Sequence, residues 1–415
     1  FNSEKSDTLA YTQLYSRYYY DDDSTNTYPF FSGFEGTHVM IFIGFGFLMT
    51  FLKKYSYSAL GFNWLLAALA VQWALLCQKF FEMKGINDKI LLTKTSLLEA
   101  DVMAATVLIT FGALLGVASG MQLLLITVIE VVIGCLNLWI VGHVLKAADV
   151  GGSIAIHTFG AYFGIGVSIA LRKWKKSETS AANDQTPVIV DLNGPTYVSD
   201  VTAMIGSIFL WIYWPSFNSG LTKTDSEYQR AVINTYLALA AATVTSFIMS
   251  SAVSKHNSRF DMVHIQNSTL AGGVAVGSVC NMMIGPGGAV AIGIGAGVLS
   301  VFGYRFLTPK LTKMGILDTC GVNNLHGMPG VYSGLLSVLF AALATKAEYK
   351  EDLTAVFASM EGVSLSLFGT SLYLSLIHTG NQALYQFIAL VVTIVISLVS
   401  GLLTGKYIQI NFQYL

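Results

Sequence analysis

Eleven apolar runs are strung along the chain, at 34–52, 58–79, 98–117, 121–145, 149–171, 198–217, 230–252, 264–284, 287–307, 319–343 and 381–405. About 20 apolar residues in a helix cover the roughly 30 Å of hydrocarbon in a bilayer. Runs of that length with polar breaks between them predict an all-α polytopic membrane protein of eleven transmembrane helices. One further stretch, VSLSLFGTSLYLSLI at 363–377, is shorter than a span and is expected to belong to an ordered loop.

Composition agrees with that reading and narrows the alternatives. Hydrophobic residues make up 53% of the 415 positions, charged residues 11%, and mean hydropathy is +0.60. A soluble domain carries about 25% charged residues, so this chain is built for lipid. A net charge of −1, with no basic block interleaved with aromatics, gives no footing for nucleic acid. Cys77, Cys135, Cys280 and Cys320 are dispersed in apolar runs, which predicts neither a disulfide framework nor a Cys-x-x-Cys zinc site. The glycine runs GGVAVG (272–277) and GPGGAVAIGIGAG (285–297) lie inside apolar segments with no preceding strand. They read as close helix contact rather than a dinucleotide loop. With no H-E-x-x-H and no Ser/His/Asp arrangement in evidence, the chain is expected to be neither an enzyme nor a cofactor carrier.

Charge near the span ends suggests an orientation. If residues 1–33 are outside, then Lys53–Lys54, RKWKK at 172–176, Lys255 with Arg259, Arg305 with Lys310 and Lys313, and Lys406 all fall inside, as the rule for short loops requires. Residues 1–33 then form an extracellular segment, its acidic run Asp21–Asp23 solvated, and 406–415 begin a cytoplasmic tail.

Two of the runs share a motif. DVGGSIAIH (149–157) and DTCGVNNLH (318–326) both read D-x-x-G-x-x-x-[Ile/Leu]-H. Each aspartate is a natural helix N-cap, Asp149 from the outer side and Asp318 from the inner. Eight residues of helix rise about 12 Å, which would bring His157 and His326 near the midplane from opposite faces. That is the arrangement of an inverted repeat with its site between the halves, here 34–171 and 198–343, with 381–405 outside the symmetry. Polar side chains at that depth are expensive and usually mark a pathway. Two neutral imidazoles can share a proton and receive a small polar molecule, but serve a desolvated cation poorly. They suit a weak base that arrives charged and crosses neutral. A metal site using both histidines and Cys320 is the competing reading.

HVMIFIGFGFLMTFLKKY (38–55), IHTFGAYFG (156–164), FLWIYWPSFNS (209–219), HIQNSTLAGGVAVG (264–277) and DTCGVNNLHGMPG (318–330) together resemble the Rh (Rhesus) glycoproteins of the ammonium-transporter superfamily, in order and over nearly the whole chain. The resemblance implies a homotrimer, or a heterotrimer with Rh paralogues, in the plasma membrane, each subunit with its own pore. It implies passage of ammonia taken up from ammonium, and of carbon dioxide in some members. Animal members carry one further helix ahead of the extracellular segment, so such a helix is expected to precede Phe1. Carried over by motif, His157 and His326 resemble the paired pore histidines. Asp149 resembles the aspartate that orients the pore wall or draws in ammonium, and Asp318 its cytoplasmic mirror. Phe217 in WPSF resembles one of two phenylalanines gating the outer vestibule.

The chain departs from the family at several points. The second gate position, after Asp101, holds Val102; Asn323 stands where a histidine is usual; and the loop 173–197 is long. The extracellular segment has no glycosylation sequon, and the one at Asn267 falls inside a span. These departures resemble the blood-group branch, whose members are thought not to conduct, yet that branch has generally lost the histidines kept here. Two expectations therefore stand: an ammonia channel, and a non-conducting subunit that assembles with paralogues or the membrane skeleton.

Overall fold

A computed structural model describes residues 18–20, 30–83, 90–179, 195–254, 257–360 and 371–412. The acidic run at 21–23, residues 180–194 of the long loop, Lys255 and residues 363–370 lie outside the described residues. Among the described residues ten helices are long and apolar enough to cross a membrane: α1 (Gly33–Phe51), α2 (Ser56–Glu82), α3 (Lys94–Leu114), α4 (Gly120–Val144), α5 (Ser153–Leu171), α6 (Tyr197–Ser219), α7 (Asp225–Ala252), α10 (Gly285–Met314), α11 (Asn323–Leu343) and α12 (Asn381–Asn411). The chain is a helical, multi-pass membrane protein. A three-residue parallel pair, β1 (Tyr18–Tyr20) with β2 (Ile90–Leu92), is the departure from helix among the described residues.

The helix starts follow from local sequence. Thr93 with Ser96, Ser119 with Gln122, and Thr196 with Ser199 form reciprocal capping boxes that satisfy the first orphan N–H groups of α3, α4 and α6. Large apolar side chains such as Trp64, Phe80, Ile248 and Leu339 point outward as a lipid-facing belt. Inside, small residues set the spacing. A Cβ on Gly206 of α6 would lie 2.1 Å from the Leu48 nitrogen of α1, and one on Gly401 of α12 would lie 2.3 Å from the Phe163 carbonyl oxygen of α5. Backbones approach this closely in lipid because little but van der Waals packing draws helices together there.

The eighth expected span, 264–284, is not one helix. It is α8 (Met262–Ser268), α9 (Ala271–Val276) and a turn-rich stretch to Ile284. It still runs the length of α7. Ser250 bonds the His264 ring at one end, a Cβ on Gly272 would meet the Ala238 carbonyl at 2.4 Å midway, and Asn234 and Arg230 donate to the carbonyls of Cys280 and Asn281 at the other end. Nearly every residue from His264 to Met282 is buried, so neighbouring helices can meet the backbone groups that a broken helix frees.

Two further boundaries move. Helices α5 and α11 begin at Ser153 and Asn323, about four residues after the expected starts at 149 and 319, because a turn intervenes. Of 363–377, expected as loop, residues 371–377 are the first turns of a helix that continues through Asn411. The polar stretch HTGNQ at 378–382, which reads as a break in the sequence, is carried inside that helix.

Candidate functional site

The motif turns are where the two ends of the bundle interlock. After each aspartate the chain turns through a glycine with a left-handed backbone, Gly152 at φ +66° and Gly321 at φ +72°. A non-glycine residue pays for that conformation sterically, which accounts for the glycine three places after each aspartate. Each glycine N–H donates back to the aspartate carbonyl, at 2.9 and 3.2 Å. The N–H two residues past each aspartate donates across the bundle: Gly151 to the Gly277 carbonyl at 3.1 Å, and Cys320 to the Gly112 carbonyl at 3.1 Å.

Both carboxylates accept from backbone N–H groups at the start of the helix that follows, from just outside the N-cap residues Gly152 and Val322. Asp149 accepts from the N–H groups of Ile154 and Ala155 (closest distances 3.1 and 2.8 Å) and from the Ser278 hydroxyl at 2.5 Å. Asp318 accepts from the N–H groups of Val322 and Asn323, both at 2.8 Å. Asn323 therefore contributes its backbone to this cap, with its side chain buried.

The capped helices open with wide π-helical turns, Ser153–Thr158 and Asn323–Gly327, each carrying its histidine. Such turns recur at functional sites. Here they bring the rings edge to edge: His157 Nδ1 and His326 Nδ1 are 3.1 Å apart, the centroids 5.1 Å, and the ring planes differ by 9°. One Nδ1 must donate and the other accept. The accepting ring then carries its hydrogen on Nε2, while the donating ring leaves Nε2 as a bare acceptor. The pair thus offers one donor and one acceptor, the complement of a molecule such as ammonia. His157 Nε2 is buried with no partner.

Aromatic rings complete the surroundings. Phe45 of α1 lies near-parallel to His326 at 6.0 Å, and Trp214 of α6 near-parallel to His157 at 5.7 Å. Phe217 sits 5.7 Å from His157, tilted by 48°, so the expected gate residue touches a histidine ring directly. Val102 is buried on α3, next to Asp101, whose carboxylate meets His38. The histidines are 1% and 3% exposed, so the pair is buried behind aromatic rings. Among the described residues no three His, Cys, Asp or Glu side chains gather closely enough for a metal ion, and the four cysteines are unpaired and buried.

A cavity of about 230 Å³ opens beside Asp149, with Lys146, Lys223, Glu227 and Asn281 in its lining. At the other end a cavity of about 460 Å³ is lined by Asp261, His264, Tyr304 and Arg305. The Tyr304 hydroxyl lies 3.1 Å from the Cys320 and Gly321 carbonyls, so it joins that cavity to the Asp318 turn.

Residues 8–413 match the family described as the Ammonium Transporter Family. The chain belongs to that family. It is 43% identical over 392 residues to the ammonium transporter Rh type B of Danio rerio, covering 94% of this chain and 80% of that protein. Its Xenopus tropicalis counterpart is 44% identical, over 94% of this chain and 79% of that protein. Among solved structures, Nitrosomonas europaea Rh50 superimposes with a TM-score of 0.72 at 32% identity, over 92% of this chain and 87% of that one. A sensor Amt protein at 19% identity shares the fold, with a TM-score of 0.70 over 92% of this chain and 93% of that one. The chain is thus a member of the Rh branch of the ammonium transporters, a family of transporters and channels rather than enzymes.

The sequence singled out both histidines and both aspartates but not their partners. Phe45, Trp214 and Ser278 reach the site from distant positions on other elements, with no spacing to announce them.

Proposed function

We propose that this protein is a gradient-driven channel that takes up ammonium, leaves the proton behind and passes neutral ammonia. The single observation that carries this reading is the His157–His326 contact at 3.1 Å inside a buried aromatic enclosure. A bare cation there costs several kcal/mol even after relaxation, whereas ammonia finds one donor and one acceptor on the imidazole pair. The two crossed backbone bonds, Gly151 to Gly277 and Cys320 to Gly112, support halves of about 34–171 and 198–343 related as an inverted repeat, the pathway lying between them. Asp149 and Asp318 are positioning groups in this reading: they cap and aim the helices that carry the histidines. Phe217 closes the outer end of the path, and Val102 leaves its side of that entrance wide.

The N-terminal side faces outward in the plasma membrane, on the argument of basic clusters at the opposite loops. Subunits associate as a trimer, homomeric or with Rh paralogues, through their apolar helix faces. A dry bore also admits small neutral molecules such as carbon dioxide. The second reading, a non-conducting structural subunit, draws on the tight packing of Trp214 and Phe217 against His157. The test is an ammonium pulse on vesicles carrying the protein and an internal pH dye. Internal alkalinisation faster than in protein-free vesicles supports the channel; equal rates support the structural subunit.

A further inference from the structure

We propose that His38, held by Asp101, receives the proton of ammonium on the outer side; this rests on the channel reading above. Nδ1 of His38 lies 2.9 and 3.2 Å from the two Asp101 oxygens. The carboxylate is 1% exposed and the imidazole 46%. An ionised carboxylate only accepts, so Nδ1 carries the hydrogen and Nε2 is left as a base. A buried acid thus aims a half-exposed imidazole. Phe34 and Phe42 flank that imidazole, with ring centroids 5.2 and 4.6 Å away, and aromatic faces attract cations.

The depth is right for the task. A Cβ on Gly33 would meet Gly220 at 3.3 Å, one on Gly36 would meet the Ser216 side chain, and one on Gly220 would meet Leu98 at 2.9 Å. His38, two residues past Gly36, and Asp101, three past Leu98, therefore lie level with the turn of α6 that carries Phe217, the residue against His157. The other groups at that level do not compete. Glu35 projects from α1 into solvent, Tyr213 of α6 faces Gly36, and Glu99 of α3 is engaged by Lys79 at 3.6 Å. Further in, Asp149 already accepts from three donors, and the histidine pair is enclosed.

In the step proposed, one N–H bond of ammonium breaks and its electron pair stays on nitrogen. The proton binds His38 Nε2, giving an imidazolium paired with Asp101, and then leaves to outside water. Ammonia moves on past Phe217.

The test measures flux into vesicles at fixed ammonium concentration across a pH series, for wild type, His38→Gln, Asp101→Asn and the double variant. His38→Gln keeps a donor for Asp101 but cannot hold the proton. At neutral pH it should slow flux by about a hundredfold, the lower end of what a positioned acid–base group contributes. Above the ammonium pKa, where ammonia is already present, it should match wild type, which also reports a folded channel. Asp101→Asn should slow neutral flux too, and the double variant should be no slower than His38→Gln, since the two act as one unit. Unchanged neutral flux in His38→Gln, equal loss at all pH values, or additive effects would each overturn the proposal while leaving the channel reading intact. Wild-type flux no faster than empty vesicles would overturn both.

Discussion

Replacing Asp149 by asparagine separates two roles that a carboxylate at this position could have. Its oxygens accept from two backbone N–H groups and the Ser278 hydroxyl. Asparagine keeps one acceptor oxygen and turns an NH₂ group towards N–H donors, so at least one buried donor loses its partner. That costs about 1–3 kcal/mol, a sizeable share of the 5–15 kcal/mol that holds a typical domain folded. The Asp149 turn leads directly into the π-helical turn bearing His157, so the damage reaches the histidine contact. The expected result in vesicles is a fall in maximal flux of tenfold or more with little change in the ammonium concentration giving half-maximal rate, alongside a lower melting temperature in detergent. Alanine, which orphans all three donors, should be worse on both counts. If Asp149→Asn instead raised the half-saturating concentration and left maximal flux and melting temperature intact, Asp149 would be a binding group for ammonium, and the reasoning from its occupied oxygens would be wrong.

Other outcomes follow from the same geometry. Val102→Phe should narrow the outer entrance and slow methylamine more than ammonia; the ratio of the two fluxes decides it, because overpacking a buried site costs about 1–3 kcal/mol by itself, and equal slowing would refute the size argument. Gly321→Ala forces a Cβ into a left-handed backbone at φ +72° and within 2.3 Å of the Tyr304 ring. It should cost at least the roughly 1–2 kcal/mol of that conformation, read as a lower melting temperature, and should depress flux at equal protein content. Gly152→Ala, at φ +66°, should behave alike. In the loop after α11, burial raises the Asp352 carboxyl, but the Ser226 hydroxyl and the Arg230 guanidinium together outweigh it and hold the group below the usual carboxylate value. Its contribution is therefore present above about pH 3.9 and lost as pH falls through the lowered value. Asp352→Asn should remove that acid-dependent part, no more than about 1 kcal/mol for a pair near the surface, in melting curves taken down a pH series.

Much of the fold is written in hydropathy, because a bilayer imposes a single length and polarity on every span. The breaks are less legible for a related reason. Gly272, Gly273 and Gly277 look like packing residues in any apolar run, and what packs against them, the Ala238 carbonyl, the Trp214 ring and the Gly151 backbone, is supplied by other elements. The late starts of α5 and α11 could be read once the glycine of the motif is taken as a left-handed turn rather than part of the helix. The histidine contact was readable from the repeat alone. Its surroundings were not, since Phe45 and Trp214 come from distant helices and bear no fixed spacing to His326 or His157. The His38–Asp101 pair did leave a signal, two ionisable residues inside apolar segments, where such groups usually mark function.

The most direct test of the central claim records internal pH and transmembrane current together in vesicles after an ammonium pulse, for wild type, His157→Ala and His326→Ala. The account predicts rapid internal alkalinisation without matching inward current in wild type, reduced in both variants at equal folded protein. Inward current without alkalinisation, or full alkalinisation in both variants, would contradict passage of neutral ammonia along the imidazole pair.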